Sequence, residues 1–214
     1  MSDPLLLIFD LDGTLIDSRA DLAAGINHMR AQFGLAPLAV ETVGGYVGDG
    51  VRLLVERSLQ GADVDADEAL AINLEYYFAH LTVHTTLYPG VEEGLRQLAK
   101  AGHKLALLTN KQGKSSRAIM RHFGLDGLFS AIVGGGDVAH LKPEPDGIFQ
   151  CLETAAATAS NAWMIGDHYT DLAVAKNAGV KSAFVSYGFG EERGYEPSVY
   201  FASFAELVGY FVGP

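Results

Sequence analysis

Short apolar runs of strand length alternate with amphipathic segments over most of the chain. The runs occupy residues 5–9, 104–108, 131–133, 162–165 and 182–185. The first run is continuously apolar, which indicates a strand covered on both faces, as in a parallel sheet. Helical patterns lie between the runs, for example at residues 90–100 and 113–123. This alternation predicts an α/β fold with a doubly wound, Rossmann-like parallel sheet.

The segment 18–84 breaks the alternation, because its apolar residues recur only at helical spacing. Ser18 and Asp21 resemble a capping box at the start of a first helix. Apolar stripes predict two further helices, at residues 51–59 and 66–81. The segment is therefore predicted to be an all-helical insert after the first strand.

The insert divides the chain into two predicted domains. An α/β core domain comprises residues 1–15 and 86–214, and an all-helical cap domain comprises residues 16–85. Open parallel sheets bind ligands at the carboxyl ends of their strands. Since the insert directly follows the first of these strand ends, we expect the cap to act as a lid over the site.

Composition and charge narrow the possible partners. Of the residues, 49% are hydrophobic and 19% are charged, which is ordinary for a globular protein. A net charge of −11 without a block of Lys or Arg argues against binding to a nucleic acid polymer. The same negative field repels a phosphorylated metabolite, so any phosphate site here requires a local cation.

Localisation follows from what the sequence lacks. No apolar run is long enough for a membrane span or a signal sequence, so we expect neither membrane insertion nor export. The single cysteine, Cys151, cannot form an internal disulfide and fits a reducing compartment. These features predict a cytoplasmic protein, as a monomer or homodimer.

Two acidic residues follow the first predicted strand, in the segment Asp10-Leu11-Asp12-Gly13-Thr14. Residues i and i+2 of an extended chain share a side, so both carboxylates can address one ligand. A carboxylate attacks a phosphate poorly because both are negative, and a bound Mg²⁺ ion relieves this repulsion. Asp12 can protonate the leaving alkoxide and later deprotonate a water molecule. The segment therefore predicts phosphoryl transfer to Asp10.

Other polar residues follow the later strands. Thr109 and Asn110 end the second core strand, where they can hold phosphoryl oxygens. Lys142 lies in a proline-rich loop and can neutralise both the phosphate and Asp10. Asp167 ends a further strand and Asp171 lies four residues on, a spacing that suits a Mg²⁺ site.

Together these segments resemble the phosphatase branch of the haloacid dehalogenase superfamily. Its motifs are DxDGT, a Thr or Ser at the second strand, a Lys, and GDxxxD, and a C1-type helical cap occupies the position of the insert. The resemblance implies that Asp10 is the nucleophile and Asp12 the general acid and base. It also implies that Thr109, Asn110 and Lys142 hold the phosphate.

The resemblance further implies a Mg²⁺ cofactor. Asp10 and Asp167 would be ligands, together with the backbone carbonyl of Asp12. Asp171 would bind the ion either directly or through water. His168 is a departure, because relatives often carry Ser at this position.

The cap contains a second candidate binding segment. Gly48, Gly50 and Arg57 look like part of the cap of phosphoglycolate phosphatases, so Arg52 or Arg57 is expected to contact a substrate carboxylate. A flexible turn is the alternative interpretation of the glycines. Asp49, between them, argues against an anionic leaving group.

The predicted function is hydrolysis of a small phosphate monoester, with 2-phosphoglycolate as the first candidate. Sugar phosphates and nucleoside monophosphates are alternative substrates, and a phosphomutase is an alternative outcome of the same chemistry. Haloacid dehalogenation is disfavoured, because a halide needs no acid such as Asp12. A receiver-like phosphoacceptor module is disfavoured by the helical insert.

Overall fold

The computed structural model describes residues 4–213, so residues 1–3 of the predicted core segment and Pro214 lie outside the described residues. The strands, in chain order, are β1 (Leu6–Phe9), β2 (Ile16–Asp17), β3 (Thr86–Leu87), β4 (Lys104–Gln112), β5 (Phe129–Gly135), β6 (Ala162–Gly166), β7 (Lys181–Val185) and β8 (Val199–Phe201). The α-helices are α1 (Arg19–Gln32), α2 (Val40–Gly44), α3 (Val51–Leu59), α4 (Ala66–Ala79), α5 (Val91–Lys100), α6 (Gly113–His122), α7 (Asp146–Ala155), α8 (Tyr169–Ala178) and α9 (Phe204–Val212).

The main sheet has six strands in the order β5-β4-β1-β6-β7-β8, and every neighbouring pair is parallel. Strand β1 lies inside the sheet, between β4 and β6, and its side chains are at most 1% exposed. The predicted α/β fold with a doubly wound sheet is confirmed.

Side chains of β1 alternate between two hydrophobic clusters. Leu7 and Phe9 pack in the cluster that contains residues of α5 and α9. Leu6 and Ile8 pack in the cluster that contains residues of α7 and α8. This period of two, with both faces buried, explains why the run is apolar throughout. Each such buried side chain stabilises the fold by about 1.5–3 kcal/mol.

Two parts of the core differ from the elements expected from the sequence. Strand β8 and helix α9 complete one edge of the sheet, where no element was predicted. Strand β4 extends to Gln112, four residues beyond the predicted end at residue 108. Because of this extension, Lys111 lies within β4 and lines the cavity at the strand ends.

The helices α1 to α4 follow β2 and precede β3. Strands β2 and β3 pair antiparallel, with Ile16 opposite Leu87 and Asp17 opposite Thr86, and so bring the two ends of the insert together. The boundaries of the cap at residues 16–85 stay a prediction. Among the helices of residues 4–213, none has both the length and the apolar character that crossing a membrane requires.

The predicted capping box at α1 is wrong. Ser18 precedes the helix, but its hydroxyl donates to Asp12 Oδ1 rather than to the helix backbone. The carboxylate of Asp21 accepts hydrogen bonds from the backbone N–H groups of His84 and Thr85 and from the Thr85 hydroxyl. Both side chains are buried, and their long-range partners outweigh local capping. Asp21 thereby ties α1 to the segment that returns to the core.

Candidate active site

Three acidic side chains meet at the carboxyl ends of β1 and β6. Phe9 and Ile165 are partners in the parallel ladder, so Asp10 and Asp167, which follow closely, lie near each other. Asp171 approaches from the first turn of α8. Oxygen atoms of the three carboxylates lie within 4.8 Å of one another, and all three residues are buried.

The turn after β1 fits closely around Asp167. Gly13 has φ of +87°, and a Cβ atom built there would lie 2.0 Å from Asp167 Oδ2, so a larger residue is excluded. Thr14 Oγ1 donates to Asp167 Oδ1 at 3.2 Å. The backbone N–H groups of Phe189 and Gly190 donate to Oδ2 at 3.0 and 2.8 Å. Asp167 is thus held by neutral donors.

Lys142 is the cation of this cluster. Its Nζ lies 2.8 Å from Asp10 Oδ1 and 2.6 Å from Asp171 Oδ1, and it also donates to the Leu108 carbonyl. Burial by itself would lower the pKa of Lys142, but the two carboxylates raise it above its usual range. Lys142 is therefore charged at neutral pH.

The cluster carries more negative than positive charge. Asp10, Asp167 and Asp171 supply three carboxylates against the single ammonium of Lys142. Burial, with further contributions from neighbouring carboxylates, raises the pKa of Asp10 to about 6 and that of Asp167 to about 8. A small hard cation is the group that oxygen ligands of this kind suit, and it would offset the excess charge. The residues present therefore fit a divalent ion.

Asp12 points away from that cluster. Its two oxygens each lie 3.0 Å from Lys111 Nζ, and Ser18 donates to one of them. The Asp12 side chain thus does not join the acidic cluster, and the predicted ligand role of its carbonyl stays a prediction. Lys111 was not predicted as a site residue. Strand β4 continues past Thr109, so Thr109 and Lys111 are at i and i+2 of one strand and share a side. A longer predicted strand would therefore have placed Lys111 at the site.

Asn110 connects the cap to the loop that carries Lys142. Its Nδ2 donates to the carbonyls of Gly48 and Lys142, and its Oδ1 accepts from the Lys142 N–H at 2.8 Å. Both amide donors are occupied inside the protein. These contacts position the loop of Lys142, and the predicted substrate-binding role of Asn110 stays a prediction.

A cavity of about 60 Å³ lies between the cap and the strand ends. The predicted site residues that line it are Asp10, Asp12, Gly48, Gly50, Thr109, Asn110, Lys142 and Asp167. Cap residues that the sequence had not singled out for the site also line it, namely Leu22, Val47, Val51, Leu54, Asn73, Leu74 and Tyr77. The structure thus brings most of the predicted residues together around one small space.

The cap arginines lie outside the cavity lining. Arg52 is exposed and pairs with Asp67 at 2.5 Å. Arg57 pairs with Asp49 at 2.6 Å, and Tyr169 donates to the same carboxylate at 2.5 Å. The predicted contact of either arginine with substrate therefore has no support in this geometry and stays a prediction.

The cap loop packs directly on His168. Gly48 has φ of +121°, and a Cβ atom there would lie 2.4 Å from the imidazole. Burial, together with the nearby Lys142, lowers the pKa of His168 to about 4. The imidazole is therefore neutral at pH 7. His168 thus packs against the cap loop without adding charge to the site.

Comparison with known proteins gives a consistent family. The model of a family described as haloacid dehalogenase-like hydrolase matches residues 7–185. A phosphoglycolate phosphatase from Psychrobacter arcticus is 37% identical over 222 residues, covering 98% of this chain and 96% of the relative. One from Neisseria gonorrhoeae is 39% identical over 189 residues, covering 86% of this chain and 80% of the relative.

Solved structures agree with these relatives. The crystal structure of a predicted phosphoglycolate phosphatase from Haemophilus somnus superposes with a TM-score of 0.92 at 29% sequence identity. The superposition covers 98% of this chain and 99% of that chain. The likeness therefore includes both the sheet and the helical insert.

Proposed function

The chain belongs to the haloacid dehalogenase-like hydrolases, and on that basis we propose that it is a Mg²⁺-dependent phosphatase that hydrolyses 2-phosphoglycolate. The observation that carries the proposal is the buried cluster of Asp10, Asp167, Asp171 and Lys142 beneath a small cap-covered cavity. The names of the relatives supply the substrate.

The ion would be held by Asp10, Asp167 and Asp171, the last directly or through water. When bound, Mg²⁺ supplies positive charge that offsets the repulsion between phosphate and carboxylate. Lys142 adds charge of the same sign from the protein side, where it touches both Asp10 and Asp171. Thr109 lines the cavity beside them and supplies a hydroxyl for a phosphoryl oxygen.

The chemistry consists of two displacements at phosphorus. A carboxylate oxygen of Asp10 attacks the phosphorus atom, and the bond to the leaving oxygen breaks as Asp12 gives that oxygen a proton. Water then attacks the aspartyl phosphate, Asp12 takes a proton from the water, and inorganic phosphate leaves Asp10. Lys111 and Ser18 hold the Asp12 carboxylate in place for both transfers.

The lining of the cavity and the names of the relatives bear on the choice among the candidate substrates. The cap side is largely apolar and shields the site from bulk solvent. The names of the relatives support 2-phosphoglycolate over sugar phosphates and nucleoside monophosphates, and hydrolysis over phosphomutase chemistry.

The test is phosphate release from a panel of monoesters with and without Mg²⁺. We expect kcat/KM to be highest for 2-phosphoglycolate and sustained turnover to yield glycolate and phosphate. If glucose 6-phosphate or AMP were hydrolysed more efficiently, the proposed substrate would be wrong. A single phosphorylation without turnover would instead indicate a receiver-like phosphoacceptor.

A further inference from the structure

The cavity has two cationic ends. Among residues 4–213, two lysines line the cavity, and each contacts a different aspartate. Lys142 contacts Asp10 at the phosphoryl end, whereas Lys111 contacts Asp12, the acid of the leaving-group end. The mechanism assigns Lys142 to the phosphate. It gives Lys111 only the task of holding Asp12.

Lys111 is buried and charged. Its side chain is 6% exposed, and it is enclosed by the cap because its Nζ lies 4.8 Å from the centre of the Tyr77 ring. Burial alone would lower the pKa of Lys111, but Asp12 raises it above its usual range. An ammonium group has three N–H donors, of which the two oxygens of Asp12 accept two, and the third faces the Tyr77 hydroxyl and the cavity.

Helix α4 adds two polar groups opposite Lys111. Asn73 and Tyr77 lie one helical turn apart on the same face, both are buried, and both line the cavity. The Tyr77 hydroxyl faces Lys111, whose ammonium can donate to its oxygen, but among the described residues the hydroxyl has no acceptor for its own proton. A buried donor without an acceptor is costly, so a ligand that accepts this proton would explain its placement.

We propose that Lys111, Tyr77 and Asn73 form a binding subsite for the carboxylate of the leaving group. The subsite rests on the proposed function, because it requires a monoester with a nearby carboxylate. In 2-phosphoglycolate one methylene separates the bridging oxygen from the carboxylate carbon. Asp12 must reach the bridging oxygen, and Lys111 touches Asp12, so the carboxylate falls within reach of Lys111.

Other cations of the cap do not compete for this role. Arg52 and Arg57 are paired with acidic residues outside the cavity lining. The His168 imidazole lines the cavity, but its Nδ1 pairs with the Thr170 hydroxyl and the ring packs against Gly48. In a chain of net charge −11, an anionic leaving group needs a local positive charge. Lys111 is the group of the described lining that supplies it at this end.

The experiment compares two substrates of similar size. 2-Phosphoglycolate carries the carboxylate, and 2-hydroxyethyl phosphate carries a hydroxymethyl group in its place. In Lys111→Met, loss of support for Asp12 lowers turnover of both, so the ratio of the two kcat/KM values isolates the carboxylate contact. We expect this ratio to fall roughly 10- to 100-fold, the range for one hydrogen bond to a charged group. Lys111→Arg should restore most of it.

Tyr77→Phe is a second variant that keeps the ring and leaves Asp12 paired. We expect it to lower the same ratio about 3- to 10-fold, mainly through KM. Lys114→Met is the matched control, because Lys114 is exposed, stacks on Phe78 and lies outside the cavity lining. Its ratio should equal that of the wild type. Lys111→Met and Lys114→Met each remove one positive charge, so a lower ratio in Lys111→Met alone cannot arise from the change in net charge.

The outcomes separate this inference from the proposed function. A wild-type protein that turns over no phosphate monoester would overturn both. An active phosphatase without preference for 2-phosphoglycolate over 2-hydroxyethyl phosphate would overturn the subsite alone. An unchanged ratio in Tyr77→Phe would also overturn the subsite, even if Lys111→Met failed to fold.

Discussion

The core side and the cap side of the active site differ in how they are built. On the core side, short segments at the ends of neighbouring strands bring three buried acids and one lysine together, with excess negative charge. On the cap side, an apolar surface carries a few neutral polar groups, and the charged residues Asp49 and Arg57 neutralise each other. The difference fits the proposed function, in which residues of the core carry out the chemistry and the cap covers the leaving group.

The largest expected effect comes from removing the nucleophile on the core side. Asp10→Asn should lower kcat by at least about 10³-fold, because the amide cannot attack phosphorus. Since burial raises the pKa of Asp10 to about 6, ionising it at pH 7.5 destabilises the folded protein, and the neutral amide should raise the Tm of the metal-free protein. Steady-state kinetics and thermal unfolding measure the two effects.

The matched control for the nucleophile is Asp126→Asn. Asp126 is a partly exposed acid 3.5 Å from Arg121, and it does not line the cavity. Its activity should equal that of the wild type. Wild-type turnover in Asp10→Asn would contradict the assignment of the chemistry to the core.

Removal of the ion tests the excess charge of the core side. Chelation should lower kcat by at least about 100-fold, because a bound ion contributes several kcal/mol to charge stabilisation. Asp10 and Asp167 bind their protons more tightly when folded, with pKa values of about 6 and about 8, so metal-free stability decreases as pH rises from about 4 to about 8. A bound ion replaces those protons.

The measurement is Tm with and without Mg²⁺ at two pH values. At pH 8, Mg²⁺ at 100 times its Kd stabilises by about 2.7 kcal/mol. At pH 6 protons compete for the same carboxylates and raise the Kd, so the same Mg²⁺ concentration should increase Tm less. An increase that is equal at both values would mean that the ion does not bind at the acidic cluster.

An intermediate effect is expected where the cap contacts the core. Gly48→Ala places a methyl group 2.4 Å from the His168 imidazole, so the loop must move away from its contact with His168. We expect kcat/KM for 2-phosphoglycolate to fall about 10-fold, in line with the cost of misplacing groups around a reacting centre. The backbone amides of the loop around Gly48 should also exchange their hydrogens faster than in the wild type.

Gly61→Ala controls for backbone strain in this comparison. Gly61 also has positive φ, at +78°, but nothing lies within 4 Å of a Cβ atom placed there. The variant should lose some stability and keep its kcat/KM. Equal losses of activity in both variants would show that strain, rather than the contact with His168, causes the effect.

The core side could be predicted from the sequence because its residues follow apolar runs that are easy to recognise. Asp10 and Asp167 come directly after β1 and β6, and the parallel topology places neighbouring strand ends together. Lys111 was missed because the apolar run ends at Leu108, while β4 continues with polar residues to Gln112. Hydrophobic pattern alone does not define the end of a strand.

The cap side was predicted less well, for reasons that depend on packing. Helix α3 turns Val51 and Leu54 toward the cavity, and this spacing leaves Arg52 on the exposed surface. Tyr77 was predicted as part of an apolar stripe, which gives no sign that its hydroxyl would face Lys111. In both cases, the side of the inserted helix that points to the site is set by packing against residues distant in sequence, which a local pattern does not show.

The smallest expected effect is that of Arg52→Ala on the cap surface. The Arg52 side chain is 55% exposed and its partner Asp67 is 78% exposed, so water and salt screen their attraction. We expect kcat and KM for 2-phosphoglycolate to stay within about twofold of the wild type, as for exposed ion pairs in general. Any small change in Tm should vanish at about 1 M NaCl, where the screening length is about 3 Å. A tenfold rise in KM would mean that Arg52 reaches the substrate, and the cap would then supply charge to the site as well as its apolar surface.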